Sequence, residues 1–161
     1  MANFNVIRVH PKSGKFKLGG TDKNDAMIGS TGRDILNSGV GDDLIAAGAG
    51  NDLILGGSGN DTLRGGLGAD ILFGGKDDDR LIGGGDADRF LLSSGNDVIV
   101  DYDASDGDKI GIAFLTNYRF KQIGADVKIL SDQGETTIQN VELVELTVIN
   151  KGQIVDLSLV D

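Results

Sequence analysis

The sequence predicts an all-β chain, a parallel β-roll (a right-handed β-solenoid) with short β-rich caps at both ends. Three observations carry that expectation. From Gly20 the chain divides without a gap into nine units of nine residues. Place six of every unit is aspartate, and place eight is always large and apolar. Twenty of the 26 glycines fall between Gly20 and Lys109. Repetition of this kind reads as a stack of small elements, none of which could bury its apolar side alone.

The units run GTDKNDAMI, GSTGRDILN, SGVGDDLIA, AGAGNDLIL, GGSGNDTLR, GGLGADILF, GGKDDDRLI, GGGDADRFL and LSSGNDVIV. Their aspartates are Asp25, Asp34, Asp43, Asp52, Asp61, Asp70, Asp79, Asp88 and Asp97; their apolar residues are Met27, Leu36, Ile45, Ile54, Leu63, Leu72, Leu81, Phe90 and Ile99. Each unit reads as a six-residue turn and a three-residue strand. Glycine at places one, two and four allows positive φ or close backbone approach. In the strand, the side chain at place eight points opposite to its two neighbours. Each turn reverses the chain, so unit n stacks on unit n+2. Two parallel sheets then enclose one thin layer of place-eight side chains.

Charge follows the repeat. Residues 20–109 hold 18 Asp, no Glu and 7 Lys or Arg, a net of 7 − 18 = −11 within a chain of net charge −10. Stacked strands lie about 4.7–4.9 Å apart, so aspartates of units n and n+2 crowd together and repel. A calcium ion, taking oxygens at about 2.3–2.6 Å on each side, matches that spacing. Turn carbonyls would complete its six to eight ligands, and magnesium suits such a flexible cage less well.

The pattern resembles the RTX (repeats-in-toxin) nonapeptide GGxGxDxUx; GGSGNDTLR and GGLGADILF match it at every defined position. The resemblance implies calcium between same-side turns. The pairs are Asp25/Asp43, Asp43/Asp61, Asp61/Asp79 and Asp79/Asp97 on one edge, and Asp34/Asp52, Asp52/Asp70 and Asp70/Asp88 on the other. Up to about seven ions follow. Further candidate metal-site residues are Gly48, Gly50, Gly56, Gly57, Gly59, Gly65, Gly66, Gly68, Gly74 and Gly83, with Asp77 and Asp86 in place of glycine at place four. Departures at Lys23, Ser38, Ala47 and Leu92 predict weaker or missing sites at the two ends.

The expected organisation is capping strands over 1–19, the roll over 20–110 and a β cap over 111–161. In the first segment NFNVIRVH and KFKL flank PKSG as a hairpin. In the last, YRFKQIG, ADVKILS, TTIQNVE, VELTVIN and QIVDLSL read as strands. Asp101, Asp103, Asp106 and Asp108 are read as holding one further ion or as solvated turn acids. On one sheet's outer face Ile35, Leu53, Leu55, Ile71, Phe73 and Leu91 predict a cover, from the flanks or from self-association with a second copy.

Function classes narrow accordingly. There are no cysteines, so disulfides and thiolate metal sites are out. The acidity argues against nucleic acid and anionic membranes, and no apolar run approaches the roughly 18–20 residues of a transmembrane segment. A disordered acidic linker conflicts with the unbroken apolar place eight. A phosphate loop conflicts with the surrounding acids. One histidine, His10, and no nucleophile motif support no enzyme. The resemblance implies a secreted, extracellular or cell-surface bacterial protein. It would be exported by a type I secretion apparatus, with a C-terminal signal in QIVDLSLVD, and would fold in extracellular calcium. The alternatives are a polysaccharide-binding or adhesion module like those of alginate epimerases, and a fragment of a larger toxin or hydrolase.

Overall fold

The computed structural model describes residues 4–8, 15–112, 117–141, 147–150 and 153–155. The described residues form strands and turns, and as far as Gly111 successive strands alternate between two sheets. One sheet takes β1 (Asn5–Arg8), β3 (Asp25–Ile28), β5 (Leu44–Ala49), β7 (Thr62–Leu67), β9 (Arg80–Gly85) and β11 (Gly95–Ile99), all parallel. The other takes β2 (Lys17–Gly19), β4 (Ile35–Val40), β6 (Leu53–Ser58), β8 (Ile71–Lys76), β10 (Arg89–Leu91) and β12 (Lys109–Gly111), also parallel. Unit n therefore stacks on unit n+2, as expected, and the fold is a parallel β-roll.

The strands are longer than the repeat suggested. Pairing runs through Leu44↔Thr62, Ile45↔Leu63 and Ala46↔Arg64, skips place one, and resumes at Gly48↔Gly66 and Ala49↔Leu67. Glycine keeps the backbone close enough to its stacked neighbour to re-enter the ladder, so only places four to six remain as turn between β5 and β6.

Every place-eight residue is buried, and the same column continues beyond the repeats. Phe90 stacks on Ile110 and Ile110 on Val148 in one sheet, while Ile99 stacks on Ile138 in the other. The predicted N-terminal hairpin does not form: β1 and β2 lie in different sheets and make the first turn of the roll. Leu18 sits nine residues before Met27 and occupies place eight of a unit without aspartate, in register with Leu36. Stacking on that apolar column outweighs local pairing across PKSG, itself outside the described residues. At the C-terminal end β15 (Gly134–Ile138) joins β11 in parallel, then β14 (Asp126–Leu130) and β13 (Arg119–Ile123) follow antiparallel. An antiparallel pair, β16 (Val148–Asn150) and β17 (Gln153–Val155), ends the second sheet. The flanks thus extend both sheets. On the outer face of the second sheet Ile35, Leu53, Leu55, Ile71, Phe73 and Leu91 stack in two columns and are half-buried.

The two faces should respond differently. Leu72→Ala, in the closed layer, is expected to cost about 2–5 kcal/mol in calcium. Phe73→Ser, on the half-buried outer face, should cost about 1 kcal/mol. Urea unfolding of the calcium-loaded chain measures both, and equal costs would contradict a core confined to one layer.

Candidate metal centre

Pleat parity places the aspartates. Because side chains alternate along a strand, places six, eight and one all face the interior, and the nine repeat aspartates are buried beside the apolar column. From Asp34 onward each carboxylate is held by the backbone two units earlier. Asp43 Oδ1 accepts the Asp25 amide at 2.7 Å, Asp52 Oδ1 the Asp34 amide at 2.7 Å, and Asp61 Oδ1 the Asp43 amide at 2.9 Å. The ladder continues through Asp70, Asp79, Asp88 and Asp97. Its last member, Asp108, accepts the Asp88 amide at 2.8 Å across a 20-residue step. Asp108 is thus a tenth ladder aspartate, displaced from the period by two residues.

The second oxygen is the site. Oδ2 of Asp43, Asp52, Asp61, Asp70, Asp79 and Asp88 is buried with no hydrogen-bond partner. A buried charged oxygen left so is costly and fits a cation. Backbone oxygens border it: a Cβ placed on Gly56 would collide with both Asp61 Oδ2 and the Gly74 carbonyl, and one on Gly65 with Asp70 Oδ2 and the Gly83 carbonyl. Gly74 and Gly83 leave the same space beside Asp79 and Asp88. Carboxylate with neighbouring carbonyl is the oxygen-only donor set that calcium takes. Among the described residues no three acidic or imidazole side chains converge, so carbonyls and water would supply the rest.

Most of the remaining sequence candidates share a positive φ. Gly48, Gly57 and Gly66 at place two, and Gly50, Gly59 and Gly68 at place four, have positive φ. Asp77 and Asp86 adopt it too, at 72° and 73°, as aspartate can. Their carboxylates accept the Gly59 and Gly68 amides and are exposed. The acids of the 101–110 loop do not gather into one site. Asp101 accepts the Gly83 and Gly84 amides, Asp103 and Asp106 are exposed, and Asp108 is in the ladder. A second ladder escaped sequence reasoning. At place five, Asn24 accepts the Asp42 amide, Asp42 that of Asn60, Asn60 that of Asp78, and Asp78 that of Asn96. Neutral and charged members alternate along this exposed edge, and their spacing of 18 residues was the available signal.

Burial raises the carboxyls of Asp52, Asp61, Asp70, Asp79, Asp88 and Asp97, opposed by the amide on Oδ1 and reinforced by neighbouring acids. Asp52 and Asp97 reach about 6, Asp61, Asp70 and Asp88 about 7, and Asp79 about 8. An unfolded aspartate ionises near 3.8. Over that interval the metal-free fold keeps protons which the unfolded chain has released. Its stability is therefore full below about 4 and is lost as pH rises to about 8. Metal-free protein should gain strand signal on acidification from pH 8 to 4, while protons competing for Oδ2 raise the calcium concentration needed for folding. Circular dichroism against pH, with and without calcium, tests both. Metal-free strand content and a calcium midpoint that ignore pH between 8 and 5 would contradict the burial of these acids.

The RTX calcium-binding nonapeptide repeat matches the chain four times, over residues 19–54, 38–72, 55–90 and 64–99. No curated protein matches it. Among solved structures, the chain is similar to the R3 subunit of the mannuronan C5-epimerase AlgE6 of Azotobacter vinelandii. Identity is 24%, coverage 91% of this chain and 93% of that one, and the TM-score 0.48. It is also similar to the extracellular lipase LipA of Serratia marcescens, at 19% identity and a TM-score of 0.40 over 87% of this chain. It spans 40% of the lipase's length. With the repeat matched from residue 19 to residue 99, the chain belongs to the RTX calcium-binding nonapeptide repeat family.

Proposed function

We propose that this chain is a non-enzymatic calcium-binding module whose folding is driven by extracellular calcium, following export by type I secretion from a bacterial cell. The observation that carries the reading is the row of six buried carboxylate oxygens without partners. At neutral pH those charges oppose the closed roll, and a core one side chain thick has little in reserve against them. Cation binding and folding then draw on the same free energy. The chain stays open where calcium is scarce and closes where it reaches about 10⁻⁴–10⁻³ M, the range of extracellular calcium modules. The secretion signal would lie in QIVDLSLVD, most of it outside the described residues.

A second reading, polysaccharide binding, has one feature in its favour. A cleft of about 360 Å³ on the apolar outer face is lined by Phe73, Lys76, Ser93, Ser94 and Gln133. It combines an aromatic ring with hydroxyl, amide and ammonium donors, a mixture suited to sugar.

Circular dichroism of the chelated chain, titrated with calcium and separately with magnesium, tests the first reading. A cooperative coil-to-strand transition with calcium alone is expected. Asp70→Asn, which removes one open carboxylate, should move its midpoint to higher calcium. Full strand content without metal, unmoved by calcium, would overturn the proposal. Glycan binding at saturating calcium that Phe73→Ser abolishes would establish the second reading beside it.

A further inference from the structure

The six open carboxylates belong to the third through eighth units, and the ladder aspartates outside them are closed from within their own turns. Asp25 Oδ2 accepts the Thr21 amide at 2.6 Å and its hydroxyl at 3.0 Å. Asp34 Oδ2 accepts the Ser30 amide at 2.7 Å and its hydroxyl at 3.0 Å. At the other end the Ser93 hydroxyl reaches Asp97 Oδ2 at 3.2 Å, and the Asp103 amide reaches Asp108 Oδ2 at 2.9 Å.

Residue choice at place two separates the groups. All six open units carry glycine there, namely Gly39, Gly48, Gly57, Gly66, Gly75 and Gly84, with φ between 101° and 124°. That conformation leaves Oδ2 without the local amide, and glycine brings no hydroxyl. Thr21, Ser30 and Ser93 are not in the left-handed region, which side chains with a Cβ disfavour. Asp34 and Asp97 are as deeply buried as the open aspartates, so exposure does not explain the difference.

We propose that Thr21, Ser30 and Ser93 are latches, supplying to the end carboxylates the bonds that calcium supplies in the middle. The end units then close without an ion, and calcium enters only the third through eighth units. This rests on the calcium reading above and deepens it by assigning which units bind metal and which do not.

The test uses the whole chain, with bound calcium counted by native mass spectrometry at saturation and folding followed by circular dichroism. The wild type is expected to hold no more than six ions, one for each open carboxylate. The triple variant T21G/S30G/S93G, in which each place-two residue can turn its amide away, should hold up to three more. It should also show less strand signal at low calcium. The hydroxyl-keeping variant T21S/S30T/S93T should retain the wild-type count. Should the triple glycine variant fail to fold, S30G alone is read the same way, with one added ion expected. More than six ions in the wild type, or a count unmoved by the glycine substitutions, overturns the latch. A wild type that folds with calcium while its variants behave identically overturns only the latch; a wild type indifferent to calcium overturns the calcium reading itself.

Discussion

The structure depends on a parity constraint. Along an extended chain, side chains two residues apart share a face, so the aspartate at place six must point wherever the apolar residue at place eight points. Burying the aliphatic column, which is what joins the units, therefore buries an acid at every step. Rotating the acid outward would expose the core. The regular spacing of Asp and Leu or Ile is thus more than a ligand motif; it couples a cost in charge to a gain in apolar burial. Either can be satisfied only if something neutralises the carboxylates.

The local architecture manages that cost in stages. Oδ1 is engaged by the amide of the aspartate two units earlier, which ties the stack together with charge-assisted hydrogen bonds. What remains in the third through eighth units is one oxygen each, and in the last four of these it lies beside a glycine, Gly56, Gly65, Gly74 or Gly83, whose Cβ would collide with the carboxylate. Place one shows the same geometry from the other side. Where Ser38 and Ala47 replace glycine, they are fully buried, and the Ser38 hydroxyl donates to the Gly56 carbonyl at 2.7 Å. At Ser38 the hydroxyl thus takes up a carbonyl of the kind that borders the open site in the later units.

Much of this was legible in the sequence because the period is strict. Nine aspartates and nine apolar residues in phase determine the stacking order, the inward column and the acids beside it. The C-terminal strands were legible from alternation alone: β13 and β14 fall within the expected runs, and β15 overlaps TTIQNVE but starts two residues earlier, at Gly134. What was missed lies where the period persists without its signature residues. Phe16 and Leu18 hold places six and eight of an earlier unit, and the Phe16 amide donates to Asp34 Oδ1 at 3.2 Å as an aspartate's would. Without an acid, that unit looked like half a hairpin. Asp108 was obscured in the opposite way, retaining the acid but slipping two residues out of phase through the longer DYDASDGDKI turn. Hydrogen-bond sharing inside each carboxylate was beyond sequence reading, since it depends on the sign of φ at place two.

A stack of this kind gains stability from contacts between neighbouring units, so its units are most weakly held toward the two ends, where those of Asp25, Asp34, Asp97 and Asp108 each stack on a turn without a ladder aspartate. An end unit that also required an ion would be the first to open, and opening would expose sheet edges and the apolar column together. The two ends meet this in different chemistry with the same effect. At the N-terminal end Thr21 and Ser30 satisfy their acids, and the preceding turn carries phenylalanine in place of aspartate. At the C-terminal end Ser93 and the Asp103 amide do so, and the next unit has Thr136 paired with Asp97. The open carboxylates belong to strands with an aspartate-bearing strand on both sides, whereas the closed ones, at β3, β4, β11 and β12, each adjoin one strand without a ladder aspartate. On the proposed reading, metal dependence is then greatest in the middle of the stack, and calcium governs closure there without governing the integrity of the ends.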